Sequence, residues 1–275
     1  MAFMEILFAF FLGFLQGLTE FLPISSSGHL ALLHKLFGNI LILTDKEQLF
    51  FDVILHIGTL LAILIVFRKT ISSIIITIFN KNSYKNIKNN SNSWFVILII
   101  IVAIPTGIIG LIIKKYIYHI QSNLFFIGIM FFITAIILFI TFFVKNNHKN
   151  SWEKINIFDA LIIGFVQGIA ALPGISRSGA TISTARFLGI SRDKAGEFSF
   201  LISIPAIIGA GIIELSNASI KNCNILIFLS GFISAFISGL LTLKFLLFFI
   251  KKGKFYYFGF YLIIMSIISF IVHWR

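Results

Sequence analysis

The chain has 275 residues, of which 58% are hydrophobic and 12% charged, against about 25% charged in soluble domains, and its mean hydropathy is +1.02. A soluble core of this length has no room for so much apolar surface, so lipid must be the solvent for much of the chain. The net charge of +12 does not point to nucleic acid, because the Lys and Arg sit mainly in short loops between apolar runs and form no basic stripe interleaved with aromatics. The only cysteine, Cys223, excludes an intrachain disulfide.

In chain order, apolar segments run near 5–22, 30–43, 49–67, 94–113, 124–144, 157–172, 198–215, 225–250 and 255–273; several approach the roughly 20 residues that cross a bilayer. The first has no positive n-region and no clear small-residue cleavage site, so it reads as retained. Segment 71–79 is short and spotted with Ser and Thr, an interfacial continuation. The Asn/Lys-rich stretch 80–93 and residues 145–156 read as solvated loops. Trp94, Trp152 and Trp274 stand near segment ends, as interfacial anchors do.

Two stretches are unlike ordinary spanning helices: Gly13 to His29 and Gly164 to Ala180. At an offset of 151 residues, Gly13, Phe14, Gln16, Gly17, Ile24, Ser25, Ser27 and Gly28 meet identical residues, and the prolines miss by one position. Apolar bias does not supply matched Gln, Ser and Gly, so the reading is a single transmembrane domain, 1–275, with an internal repeat of 1–150 and 151–275. A Gly/Pro-broken apolar segment at the same place in both halves is the sign of a repeat-built membrane site. Broken helix is tolerated at membrane depth only when buried in protein or lining a wet cavity, so the two motifs are expected to meet.

Loop charges orient the chain. Arg68, Lys69, Lys81, Lys85 and Lys88 in 68–93, Lys145, Lys149 and Lys154 in 145–156 and the three lysines of 251–254 place those loops in the cytoplasm, while Lys114 and Lys115 are a mild conflict. If each motif forms a re-entrant helical hairpin, each half is one hairpin plus about three spanning helices; three is odd, so the halves are inverted and both termini lie outside. The alternative is that the motif segments cross fully. The expected fold is therefore an all-α integral membrane protein of two inverted repeats.

Gln16 and Glu20, four residues apart, share a helix face. A carboxylate in a spanning segment costs about 2.5–3.5 kcal/mol on insertion scales, so it is rare unless functional or paired. Glu20 can hold a divalent cation or act as a base, and Gln16 can align water, metal or phosphate. Pro23 ends the helix; Ser25, Ser26 and Ser27 then suit the start of the next one, either as plain caps or as anion ligands. A serine nucleophile needs a neighbouring base or metal, and His29 lies one helical turn after Ser26. Arg177, flanked by Gly174, Ser176 and Gly179, offers a donor fork matched to phosphate, or simply neutralises Glu20. Ser26 and Arg177 are repeat equivalents, so pseudo-symmetry sets them facing each other. Asp52 and His56, also four apart, could pair, relay protons or line the site.

The stretches QGLTEFLPISSSGHL (16–30) and PGISRSGATIS (173–183), with FFDVILHIGTLLA (50–62) and GEFSFLISIPA (196–206) in support, resemble the undecaprenyl-diphosphatase, or bacitracin-resistance, family over the whole chain. The resemblance implies inverted repeats, a site open to the outer face of the bacterial cytoplasmic membrane, and divalent-metal-dependent release of phosphate from undecaprenyl diphosphate, which recycles the lipid carrier for cell-wall synthesis. It implies Ser26 as nucleophile, His29, and Arg177 beside Ser176 as the phosphate ligand. The family's acidic pair falls on Gln16 and Glu20, its first position being Glu or Gln. The expected site is thus catalytic Ser26, His29, Glu20 and Arg177, with Gln16, Ser25, Ser27, Ser176, Gly28 and Gly174 binding substrate and Glu20 holding Mg²⁺ or Ca²⁺. Covalent phosphoserine and direct attack by water both stay open. The type 2 phosphatidic acid phosphatases also use Ser-Gly-His and Ser-Arg elements, but the nucleophilic histidine they need falls on Ser183 here. The partners expected are a polyprenyl diphosphate lipid and membrane lipid, no nucleic acid, and a homodimer is compatible with the sequence. The rival reading is an inverted-repeat transporter or flippase for an anionic lipid, an architecture that has no need of the serine–histidine pair.

Overall fold

The structure is a computed structural model; it describes residues 2–37, 44–80, 90–144, 149–216 and 224–274. Cys223, His148 and the lysines of 81–89 lie outside them. The described residues form eleven α-helices: α1 (Ala2–Phe21), α2 (Ser26–Phe37), α3 (Asp45–Val66), α4 (Arg68–Phe79), α5 (Ser91–Gln121), α6 (Leu124–Ile140), α7 (Ile157–Ile169), α8 (Arg177–Phe187), α9 (Arg192–Leu215), α10 (Ile225–Lys251) and α11 (Tyr257–His273). No strand occurs among them beyond one bridge between Lys149 and Ile190. The all-α expectation holds.

Six helical stretches are long and apolar enough to cross a membrane: Phe3–Phe21, Lys46–Val66, Ser91–Ile117, Leu124–Phe143, Arg192–Leu215 and Ile225–Lys251. The chain is a multi-pass membrane protein. The set differs from expectation in two places. The first motif's α1 has crossing length by itself, whereas α11, at 17 residues, is shorter than the others. Ile100, Ile104, Ile108, Leu111 and Ile112 form an exposed stripe along α5, a face that only lipid can cover without cost.

Helix ends follow local chemistry. Asn123 accepts from the amides of Phe125 and Phe126 to start α6, and Asn156 with Asp159 forms a reciprocal cap on α7. Lys149 adds an ion pair to Asp159 at 2.5 Å. Trp94 and Trp152, expected as interfacial anchors, are both buried in the protein, Trp152 stacked on Phe95 and Trp94 donating its indole N–H to the Ile155 carbonyl at 2.9 Å. Trp274 is the exposed one of the three.

Several helix contacts recur between the two halves. The α1 helix packs chiefly on α10 as α7 packs on α5; α3 packs on α10 as α9 does on α5; α3 meets α9, and α6 meets α11. The motif glycines make this possible. A Cβ on Gly13 or Gly17 would fall 2.2 Å from the Gly231 oxygen or 2.1 Å from the Ser238 hydroxyl of α10; one on Gly164 or Gly168 would fall 2.5 Å from the Val102 oxygen or 2.7 Å from Ile109 of α5. These are Gly-x-x-x-Gly seams, which let backbones approach where no hydrophobic force acts between helices.

Candidate active site

Each motif is a helix, a break and a second helix, and the breaks are built alike. The Ser25 hydroxyl accepts from the Gly28 amide at 3.4 Å and lies 3.3 Å from the Ser27 hydroxyl; the Ser176 hydroxyl accepts from the Gly179 amide at 3.0 Å and lies 3.2 Å from that of Ser178. Ser25 and Ser176 therefore serve as N-caps of α2 and α8, the plainer of the two readings open to them. The motifs also interlock: the Ser178 hydroxyl donates to the Leu22 carbonyl at 3.2 Å. Gly28 and Gly174, expected to bind substrate, face packed protein. A Cβ on Gly28 would stand 2.5 Å from the Phe131 ring, one on Gly174 2.7 Å from Met130, and Gly174 has a φ of +93° that glycine alone adopts easily.

The groups that converge do so on Glu20. Its Oε2 accepts from the Ser26 hydroxyl at 2.7 Å and from the Gln16 amide at 3.0 Å, and its Oε1 is paired with the Arg177 guanidinium. The Glu20 carboxylate is buried, while the Arg177 side chain keeps about a quarter of its surface open. Ser26 and Arg177, equivalent in the two motifs, thus meet through one carboxylate. Ser25 reaches this geometry with φ +68°, a left-handed conformation that costs a non-glycine residue about 1 kcal/mol or more; the strain turns the chain so that Ser26, not Ser25, presents its hydroxyl to Glu20.

His29 is not where the spacing suggested. No Ser26–His29 bond is among the described hydrogen bonds; Nδ1 lies 2.8 Å from the Ser25 carbonyl and Nε2 2.7 Å from the Tyr261 hydroxyl, with the two rings stacked. A carbonyl can only accept, so Nδ1 carries the proton and Nε2 accepts from Tyr261. Asp52 does not pair with His56 either. Asp52 accepts from Gln48 at 3.0 Å, and His56 turns to the site, its Nδ1 3.1 Å from the Gln16 amide and 3.7 Å from Glu20. Sequence reasoning left His56 among several roles and missed Tyr261, which is far in sequence and has no motif around it.

Among the described residues no three His, Cys, Asp or Glu gather to hold a metal by themselves. The Gln16 Oε1 is nonetheless buried without a partner, next to the one carboxylate of the site. Mg²⁺ and Ca²⁺ take oxygen ligands, and Mg²⁺ commonly uses one or two carboxylates plus substrate phosphates. The residues fit such an ion, provided the substrate completes its shell.

A cavity of about 620 Å³ opens onto Glu20, Ser25, Ser26, Ser27 and Arg177 and runs between α5 and α9. A carboxylate, a hydroxyl and a guanidinium at the head of an apolar cleft are the kinds of group that can handle phosphate chemistry on an amphiphile. A profile of the bacitracin resistance protein BacA family matches residues 9–268, and the chain belongs to that family. It is 41% identical to a Treponema denticola protein named undecaprenyl-diphosphatase over 98% of both chains. Proteins of that name from Halothermothrix orenii and Carboxydothermus hydrogenoformans are 41% and 40% identical, over 98% and 94% of each chain.

Proposed function

We propose that this protein hydrolyses undecaprenyl diphosphate to undecaprenyl phosphate and inorganic phosphate, returning the lipid carrier to cell-wall synthesis and thereby conferring bacitracin resistance. The single observation that carries the reading is the meeting of Ser26 and Arg177 on Glu20 at the head of the cleft.

In this reading the substrate's terminal phosphoryl group enters against Arg177, which leaves Glu20 in part to pair with phosphate oxygens. Arg177 then stabilises the charge on the transferred group, the largest contribution such a site can make. The freed carboxylate takes the proton of Ser26 as its oxygen bonds to phosphorus and the bridging oxygen departs with undecaprenyl phosphate. Glu20 passes that proton to the departing bridging oxygen; water, its proton accepted by Glu20 and returned to the Ser26 oxygen, then cleaves the serine–phosphorus bond and releases phosphate. His29 and Tyr261 act through the backbone, holding the strained Ser25 turn and so the Ser26 hydroxyl in line. A divalent cation, Mg²⁺ or Ca²⁺, would be held by Glu20 and the free Gln16 carbonyl oxygen and would neutralise diphosphate charge.

The same reading makes the two halves inverted repeats, each beginning with a re-entrant motif, with the cleft open to the outer face of the bacterial cytoplasmic membrane. The equivalent helix contacts of the two halves support it, as does the loop charge bias. The test is phosphate release from undecaprenyl diphosphate by protein purified in detergent, with Arg177→Ala and a chelator as parallel samples. Release that both abolish is the expected result; no release by folded native protein under several cations defeats the reading and favours transport.

A further inference from the structure

The cleft has a second end. From Glu20 and Arg177 it runs between α5 and α9 to Lys114, Gln121 and Glu214. The two walls are built alike: Pro105 and Pro205 lie inside the helices, and Lys114 and Glu214 each follow nine residues later. Between these levels the walls carry glycines of an unusual kind. A Cβ on Gly107, Gly110 or Gly209 would meet nothing within 4 Å, and one on Gly211 only Val53 at 3.8 Å, whereas the motif glycines are pressed against neighbouring helices. Glycine in a helix costs about 1 kcal/mol relative to alanine. Where no neighbour requires it, what it provides is open passage.

At the end of this passage Lys114 is exposed and makes no hydrogen bond or ion pair among the described residues, and Glu214 lines the same cavity. Lys114 and Lys115, expected from the sequence to lie in a loop and to run against the charge bias of the other loops, stand instead in the last turns of α5, which continues to Gln121. Of the two, only Lys114 lines the cavity.

We propose that Lys114 is a capture site for phosphate anions at the cleft mouth, engaging the diphosphate head of the lipid on entry and free phosphate on exit. The proposal rests on the phosphatase reading of the deeper site. An ammonium group is a compact charge on a flexible stem, suited to brief contact without fixed geometry, in contrast to the rigid fork of Arg177. Glu214 limits how tightly the mouth holds an anion, so the head passes on to Arg177.

The test compares Lys114→Gln, Lys114→Arg and Lys115→Gln with the native protein in detergent. Lys114→Gln is expected to raise KM for undecaprenyl diphosphate by roughly three- to tenfold and to weaken product inhibition by inorganic phosphate to a similar degree, with the loss falling on KM rather than kcat. Lys114→Arg retains most of the native KM, and Lys115→Gln, an identical charge change one residue away, behaves as native. Added salt raises the native KM but leaves that of Lys114→Gln nearly flat. A change in KM without a change in phosphate inhibition confines the site to the lipid head; the converse confines it to free phosphate; either one narrows and supports the proposal. Equal effects of Lys114→Gln and Lys115→Gln, or native kinetics in both, overturn it. If native protein releases no phosphate at all, the phosphatase reading fails separately, and binding of inorganic phosphate to native protein and Lys114→Gln still decides the capture site: equal affinity rejects it.

Discussion

The two motifs share a backbone design and divide the chemistry. Both end a glycine-seamed helix, break, and restart on a serine that caps the next helix. At the position after the cap the first motif has Ser26 and the second Arg177; the first carries Glu20 where the second carries Ala171. The residue with positive φ differs too, a strained Ser25 in one and an unstrained Gly174 in the other. Two motifs of like design thus present a hydroxyl from one side and a guanidinium from the other to a single carboxylate. Neither motif holds all three groups by itself, so in the proposed reading the interlock between them matters to function as well as to stability.

Substitutions that break this division should have the largest effects. Arg177→Ala, Glu20→Ala and Ser26→Ala are each expected to lower turnover by at least about 10²–10³-fold, measured as phosphate release, while the cap-side hydroxyl Ser178→Ala lowers it only a few-fold. Comparable losses at Ser26 and Ser178 would mean that the motifs are not divided in this way. The matched glutamines sharpen the contrast. Gln167 is buried, donates weakly to Thr106 and to the Ile202 carbonyl, and has no hydrogen bond to a cationic side chain among the described residues. Gln167→Glu therefore buries an unpaired charge and should destabilise the protein by about 3 kcal/mol or more, seen as earlier thermal unfolding in detergent. Gln16→Glu instead adds a carboxylate beside the proposed cation and should lower the Mg²⁺ or Ca²⁺ concentration for half-maximal activity by roughly threefold; a rise would remove Gln16 from the cation's shell.

The seams test what the motifs share. Gly17→Leu and Gly168→Leu should both destabilise, since each sets a side chain into a facing helix at under 3 Å; unfolding of one alone would show that the seams are unequal. The smallest effect is expected from Tyr261→Phe, which removes one hydrogen bond to His29 and should lower kcat about fivefold, the equivalent of about 1 kcal/mol, with little change in KM. A loss as large as that of Ser26→Ala would give His29 and Tyr261 a direct part in the chemistry.

Much of this molecule was legible in the sequence for simple physical reasons. Lipid tolerates few charges, so composition alone identified a membrane protein, and each buried Glu, Arg or Gln stood out against an apolar background. Repetition picked out Gln16, Ser25, Ser27 and their partners, and pseudo-symmetry paired Ser26 with Arg177. Tertiary structure decided what lay beyond helical periodicity. Spacing set His29 one turn from Ser26 and Asp52 one turn from His56, yet packing sent His29 to Tyr261 and His56 to Gln16 and Glu20, while Asp52 took Gln48, its neighbour one turn back in α3. Trp94 and Trp152 pack into the core. Local sequence determines which residues can share a helix face; which partner each polar group takes depends on helices that meet only when the chain has folded, since a buried donor or acceptor must find whatever complementary group the packing brings within reach.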